Sequence, residues 1–285
     1  FFLYDEKTRH AGSTVMRGVQ LSAFLRARIG DEAEIHCTSD VRAARDGLVI
    51  ITKRLLDRLS NAEMRLIHRR NIAVAADPID APIADDKLAE CDLLLAASLS
   101  ALKYFGNKAS GIPIRLLSHH ADPRIADIEP PTDCLRTGYF GEFENTIGRG
   151  EIDRLVDYHL VSTRMQENSW LTELCAYNAH FAVRRTREID GFKPFTKGFT
   201  AAKCKSVVIC ERDQGDNLYY LGDDYPYFVS STETSEIERF LLEMSEDFGG
   251  DRWNYALEIM QSVAHRSSEE WICTEFKAIL RDVFG

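Results

Sequence analysis

Phe192-Lys193-Pro194-Phe195-Thr196-Lys197-Gly198-Phe199-Thr200-Ala201-Ala202-Lys203, followed closely by Ser206-Val207-Val208-Ile209-Cys210-Glu211, decides the fold class of this chain. Pro194 fixes a turn, and Thr196 is placed to cap a helix running from Lys197 through Ala202 and Lys203. Val207 to Cys210 is a short apolar run of the kind that forms a buried strand. Turn, helix and buried strand in that order are the repeating unit of an α/β protein. The same order carries chemistry. Helix N-terminal N–H groups, the positive end of the helix dipole and the ammonium groups of Lys197 and Lys193 together suit a bound diphosphate. Glu211, at the end of the strand, can hold sugar or ribose hydroxyls through paired hydrogen bonds. The loop from Arg212 to Asn217 adds Asp213 and Asn217 as further polar groups, and Gly215 can take a positive φ there.

The 285-residue chain is 45% hydrophobic and carries a formal net charge of -10. That length and composition suit two domains with substantial cores. The acidic balance speaks against a nucleic-acid partner, because phosphate neutralisation along a duplex calls for a basic face. Any anion site must be local. Seven cysteines stand in scattered positions, without metal-ligand spacing, and fit reduced thiols better than a disulfide framework. Cys91, Cys204 and Cys210 lie among apolar residues and are expected in the core. No metal site is expected. No run approaches the roughly 18 apolar residues of a spanning helix and there is no leader, so the expected location is cytoplasmic, with peripheral contact at the inner face of a membrane left open.

Working outward toward the start of the chain, Phe1 to Tyr4 is an apolar strand that leads into a polar loop ending at Gly12 and Ser13. The helix after it sets Met16, Val19 and Ala23 on one face, expected to rest on a sheet. Gly12-Ser13-Thr14 at its start serve either as a hydroxyl cap or as an anion-binding terminus. Strands are expected over Glu34–Cys37, Leu48–Ile51, Ile72–Ala75, Asp92–Ala96 and Ile114–Leu117. A helix carrying Leu55, Leu59, Ala62 and Leu66 in register and a shorter one over Leu99–Tyr104 separate them. Apolar strands alternating with helices indicate a parallel sheet covered on both faces, with ligands gathering beyond the strand C-termini. That rim collects Asp77, Ser98 and Ser118-His119-His120. His119 or His120 can orient a sugar hydroxyl or move a proton near neutral pH, or can belong to a surface turn before Pro123.

Pro123, Pro130 and Pro131 mark a linker over residues 123–133, dividing a first domain, 1–122, from a second, 134–265. The second opens with a strand running into a glycine turn, Gly138-Tyr139-Phe140-Gly141, where backbone can approach a ligand closely. Val156–Val161 and Ala179–Val183 read as strands, Gln166–Ala176 as a helix. Arg184-Arg185 after the latter strand is either a solvated pair or part of a phosphate site. Three amphipathic helices follow, on the stripes Ile237-Phe240-Leu241-Met244, Trp253-Leu257-Met260-Ala264 and Ile272-Phe276-Ile279. The last lies in a segment, 266–285, that can cross back to the first domain.

Lys-Pro-x-Thr-Lys, the Ala-Ala helix, Val-Val-Ile, the polar loop and Gly222-Asp223-Asp224-Tyr225-Pro226-Tyr227-Phe228 read as a strand together resemble the donor-binding domain of two-Rossmann-domain (GT-B) glycosyltransferases, in particular the retaining group. The resemblance covers about residues 134–230 by motif and 1–120 by architecture only. It implies an α/β protein of two Rossmann-like domains with a central cleft and C-terminal helices. It also implies a nucleotide-diphosphate-sugar donor on the second domain and a glycan, lipid-linked or small-molecule acceptor on the first. No cofactor and no metal are then required, and polysaccharide biosynthesis is the matching process. By that resemblance Lys197, Lys193, Thr196 and Arg184 meet the diphosphate, while Glu211, Asp213 and Asn217 hold the sugar or ribose. Gly138 and Gly141 border the nucleotide, Gly12 and Ser13 line the opposite rim, and His119 or His120 faces the transferred sugar. The chain departs from the pattern in one place that matters: retaining members carry a second glutamate eight positions on, where this chain has Tyr219. That leaves the stereochemical outcome open, and with it two other readings, a catalytically silent nucleotide-sugar-binding or scaffold protein and a sugar-nucleotide epimerase.

Overall fold

The computed structural model describes residues 1–108, 111–162, 168–185 and 192–285. Among the described residues eleven strands alternate with helices: β1 (Phe2–Leu3), β2 (Cys37–Thr38), β3 (Leu48–Thr52), β4 (Ala73–Asp77), β5 (Leu93–Ala96), β6 (Ile114–Leu116), β7 (Thr137–Gly141), β8 (Asp157–Leu160), β9 (Ala179–Phe181), β10 (Val207–Glu211) and β11 (Phe228–Val229). The helices are α1 (Gly12–Thr14), which runs through a π-helical turn (Val15–Gln20) into α2 (Leu21–Ile29), then α3 (Lys53–Arg58), α4 (Asn61–His68), α5 (Asp85–Leu88), α6 (Leu99–Lys108), α7 (Trp170–Glu173), α8 (Thr196–Lys203), α9 (Asn217–Leu221), α10 (Thr234–Glu246), α11 (Asp251–Arg266) and α12 (Glu269–Phe284). The chain divides into two compact units. Unit 1 comprises Phe1–His120, Phe192–Pro194 and Ser268–Gly285; unit 2 comprises Ala121–Gly191 and Phe195–Ser267.

Unit 1 holds a parallel sheet in the order β2-β1-β3-β4-β5-β6. Its central strands are buried along their whole length, which is why Leu-Val-Ile-Ile and Ala-Val-Ala-Ala read as unbroken apolar runs. One face packs on Leu55, Leu56, Met64, Ile67 and Phe105, and the other on Leu21, Phe24, Leu25, Ile272, Phe276 and Ile279. Helix α12 therefore completes the core of unit 1. Phe192 also belongs to it, stacked on Tyr104 at 4.6 Å, with its carbonyl accepting from Ser98 Oγ at 2.8 Å.

Unit 2 repeats the topology. Read from its second strand, the order β8-β7-β9-β10-β11 matches β2-β1-β3-β4-β5 of unit 1. Its core joins Tyr139, Phe181 and Val207–Cys210 to Phe195, Phe199, Ile237, Leu241, Trp253 and Met260. The stripes of the three terminal helices are thus the buried ones. Residues 121–133 count with this unit: Ile125 is buried with Leu174 and Cys204, and Lys205 forms an ion pair with Asp127 at 2.9 Å. Cys91, Cys204 and Cys210 are buried as small core residues.

Several local expectations are corrected. The single helix through Leu55 and Leu66 is two helices, because Ser60 accepts from the Glu63 N–H while Glu63 accepts from the Ser60 N–H, a capping box that starts α4 afresh. The Met16-Val19-Ala23 stripe is not the buried face. Val19 is 44% exposed, and the π-helical turn hands the sheet-facing surface to Leu21, Phe24 and Leu25. Helix α8 begins at Thr196 itself, with Phe195 as N-cap and no side-chain cap bond, so the Thr196 hydroxyl does not cap it. Nor do hydroxyls cap α1, whose N-cap is Ala11. Gly138 and Gly141 lie within β7 and not in a turn. Gly222 to Tyr227 is turn, not strand, before the short β11.

Candidate functional site

In a doubly wound parallel sheet the order 2-1-3 leaves a crevice beyond the C-terminal ends of the first and third strands, because the connections from those strands leave to opposite faces. In unit 2 that crevice lies between β7 and β9. Gly141 ends β7, and Arg184 follows β9 within three residues. Lys197 comes from the first turn of α8, and Glu211 ends β10 next door.

The structure brings these groups together. Lys197 Nζ lies 3.7 Å from the centre of the Tyr139 ring. A Cβ built on Gly141 would stand 3.3 Å from that nitrogen and 2.8 Å from the Tyr139 hydroxyl, so it would crowd both. Tyr139 is fully buried, its hydroxyl donates to the Glu142 carbonyl at 3.0 Å, and burial pushes its pKa up to about 12 against the opposing pull of Arg184. Burial also raises the pKa of Glu211, again with Arg184 pulling it down. Arg184 therefore lies within electrostatic reach of both groups. Glu211 Oε2 and Gln214 Nε2 are buried without a hydrogen-bond partner among the described residues. Asn217 opens α9 and its amide donates to the Glu211 carbonyl at 2.6 Å, which fixes the intervening loop, with Gly215 at φ 55°. Two local cations and one carboxylate with an unpartnered buried oxygen suit a ligand that is anionic at one end and hydroxylated at the other.

Asp213 is exposed and pairs with Arg212 at 3.4 Å. Gly138 serves packing: a Cβ there would meet the Tyr177 ring at 2.7 Å and Phe140 at 2.9 Å, so its close neighbour is an aromatic face. Lys193 counts with unit 1 and Lys197 with unit 2, so the Lys-Pro-x-Thr-Lys segment is shared between them. Arg185 is exposed and its N–H donates to the Asn145 carbonyl at 3.4 Å. Tyr139 and His180 are the residues that sequence reasoning passed over, while Gln214 belongs to the loop already expected to supply donors and acceptors. His180 is fully enclosed in β9, and burial, reinforced by Lys197, lowers its pKa to about 3, so the imidazole is neutral. The alternation Gly138-Tyr139-Phe140-Gly141 held the signal for Tyr139, since it puts that ring on the face opposite Phe140.

The corresponding end of unit 1 is built otherwise. Arg17, projected inward from the π-helical turn, bonds Asp77 at 2.8 Å and the Ser118 carbonyl at 2.9 Å, with no side-chain exposure on either partner of the ion pair. Burial raises the Asp77 pKa, and the Arg17 guanidinium works against it. Glu275 of α12 accepts from the Ser118 N–H at 2.6 Å and hydroxyl at 2.9 Å. His119 and His120 are both buried, not in a surface turn. His120 Nε2 lies 3.2 Å from Gln20 Oε1, its ring meets Phe24 edge-on, and burial, then His119 and Arg17, hold its pKa well below the ordinary value. Gly12 and Ser13 stand partly exposed in α1, which is only three residues long.

No protein-family model matches the chain, and no curated protein matches it. Solved structures do. A glycosyltransferase from Rickettsia africae ESF-5 aligns with TM-score 0.59 at 8% identity over 95% of this chain and 81% of that one. A GtfA/B complex aligns at 0.57 and 10% identity, over 88% of this chain and 62% of that one, so this chain spans under two thirds of its length. The pneumococcal O-GlcNAc transferase GtfA, solved with UDP and GlcNAc, aligns at 0.55 and 9% identity, over 92% of this chain and 60% of that one. The fold is that of the GT-B class. At such identities the likeness is one of fold.

Proposed function

We propose that the protein is a glycosyltransferase that uses a nucleotide-diphosphate-sugar, with the donor seated on unit 2 and a glycan, lipid-linked or small-molecule acceptor served by unit 1. The observation that carries this reading is that Lys197 lies over the Tyr139 ring of β7, with Arg184 within electrostatic reach of both Tyr139 and Glu211. Lys197 and Arg184 would neutralise the diphosphate as it leaves, a stabilisation that strengthens as negative charge develops in the transition state. Glu211, its charged form disfavoured by burial, would bind hydroxyls of the sugar or ribose. Such electrostatic work asks for no metal ion. Solved neighbours that hold UDP with a sugar support the donor class. His120, buried and neutral, would act on a sugar hydroxyl only if its surroundings opened, so we assign it no step.

The second reading is a silent nucleotide-sugar-binding protein. Its support is specific: the position of the second glutamate is Tyr219, 54% exposed, with the Arg266 guanidinium 5.4 Å from its ring centre. Turnover of radiolabelled nucleotide-sugars over a broad acceptor panel separates the two, with Lys197→Ala as control. Transfer that disappears in the variant supports the enzyme; tight binding without transfer or hydrolysis supports the silent protein. If no nucleoside diphosphate raises the thermal unfolding temperature, both readings fall.

A further inference from the structure

We propose that Tyr139 and Gly141 are positioning residues that seat the Lys197 ammonium, so that a phosphate-bearing ligand meets a cation already held in place. The inference rests on the donor-site reading above and deepens it.

A lysine carries four rotatable side-chain bonds, and localising its ammonium on a ligand costs rotamer entropy at the moment of binding. That cost falls if the ammonium has a place before the ligand arrives. The Tyr139 face supplies one at 3.7 Å, well inside the range where a ring quadrupole attracts a cation. The ring is itself immobilised, being fully buried in the unit 2 core and tied through its hydroxyl to the Glu142 carbonyl. Gly141, two residues on along the same strand, leaves the ammonium room on the ring; any Cβ there would press on both the hydroxyl and the nitrogen. His180, the other titratable ring near Lys197, is neutral and sets no like charge beside it.

Two arms test this, the first independent of any ligand. After reductive 13C-methylation, the Lys197 methyl resonance, assigned by its loss in Lys197→Arg, should lie upfield of the other lysines through the ring current. It should stay there in Tyr139→Phe and return to the ordinary position in Tyr139→Leu. In the second arm, calorimetric titration of unmethylated protein with UDP should show affinity kept within about twofold in Tyr139→Phe, where the ring is rescued. Affinity should fall about tenfold in Tyr139→Leu and in Gly141→Ala. Gly141→Ala keeps the proposal falsifiable should Tyr139→Leu not fold. An unshifted Lys197 resonance in the native sequence, or unchanged UDP affinity in Gly141→Ala, overturns the proposal. A shifted resonance in a protein that does not bind UDP overturns the donor reading and the positioning role together, and leaves only the contact.

Discussion

The two units share one strand order yet finish the C-terminal ends of their strands in opposite ways. In unit 1, Arg17 and Asp77 pair wholly out of solvent, Arg17 also bonds the Ser118 carbonyl and Ser118 bonds Glu275, while Arg17 Nη2 and Asp77 Oδ1 keep no hydrogen-bond partner among the described residues. In unit 2, Lys197, Arg184 and Glu211 are half-buried, and the Lys197 ammonium, itself buried, lies over an aromatic face. The same topological position carries a buried ion pair in one unit and half-buried cations beside an aromatic face in the other.

The sharpest way to break this contrast is to remove one partner of the buried pair. Arg17→Met leaves the Asp77 carboxylate buried without its partner and should cost about 3–5 kcal/mol in urea unfolding. A loss below about 1 kcal/mol would mean that the pair does not hold unit 1 together. In unit 2, Lys197→Ala should weaken UDP binding roughly tenfold to a hundredfold in calorimetry, while Arg17→Met, where folded, leaves it unchanged. Equal losses in both variants would erase the distinction between the units.

A third test uses a trait common to both units, a buried histidine of lowered pKa. The His180 pKa falls from 6.5 to about 3 on folding, so the native state binds fewer protons than the unfolded chain. Its contribution is complete above the unfolded value and is lost as pH drops from 6.5 toward 3. Between about pH 6.5 and pH 5 the loss should reach about 2 kcal/mol, with the same sign from His120 in unit 1. His180→Asn and His120→Gln should each flatten the dependence of stability on pH over that window; a slope equal to that of the native sequence in both variants defeats the idea. The smallest effect belongs to a site remote from both ends: Ser60→Ala removes the capping box of α4 and should cost about 1 kcal/mol with no change in UDP affinity.

The sheets were legible because Leu48–Ile51 and Val207–Ile209 are apolar without interruption, which only a strand covered on both faces requires. The terminal helices were legible because their apolar spacing continues over three or four turns. What stayed hidden depends on local geometry. The π-helical turn rotates the helix surface so that a polar residue, Arg17, faces inward while Val19 faces out, and residue spacing assumes 3.6 per turn throughout. Gly138 and Gly141 looked like a turn, although their purpose is to make room for rings and an ammonium that come from elsewhere in unit 2. Lys197 was readable as a cation after a turn. Tyr139 was not readable as its seat, because 58 positions separate them and only the fold sets one over the other.

The place of α12 in the core of unit 1 also has a bearing on how the protein is made. Ribosomal synthesis delivers all of unit 2, Ala121 to Ser267, before Ile272, Cys273, Phe276 and Ile279 exist to cover Phe2, Leu21 and Leu25. The nascent chain can therefore finish the unit that comes second in sequence first. Meanwhile the unit begun first holds an uncovered apolar sheet face, exposed to chaperones for as long as translation of roughly 150 further residues takes.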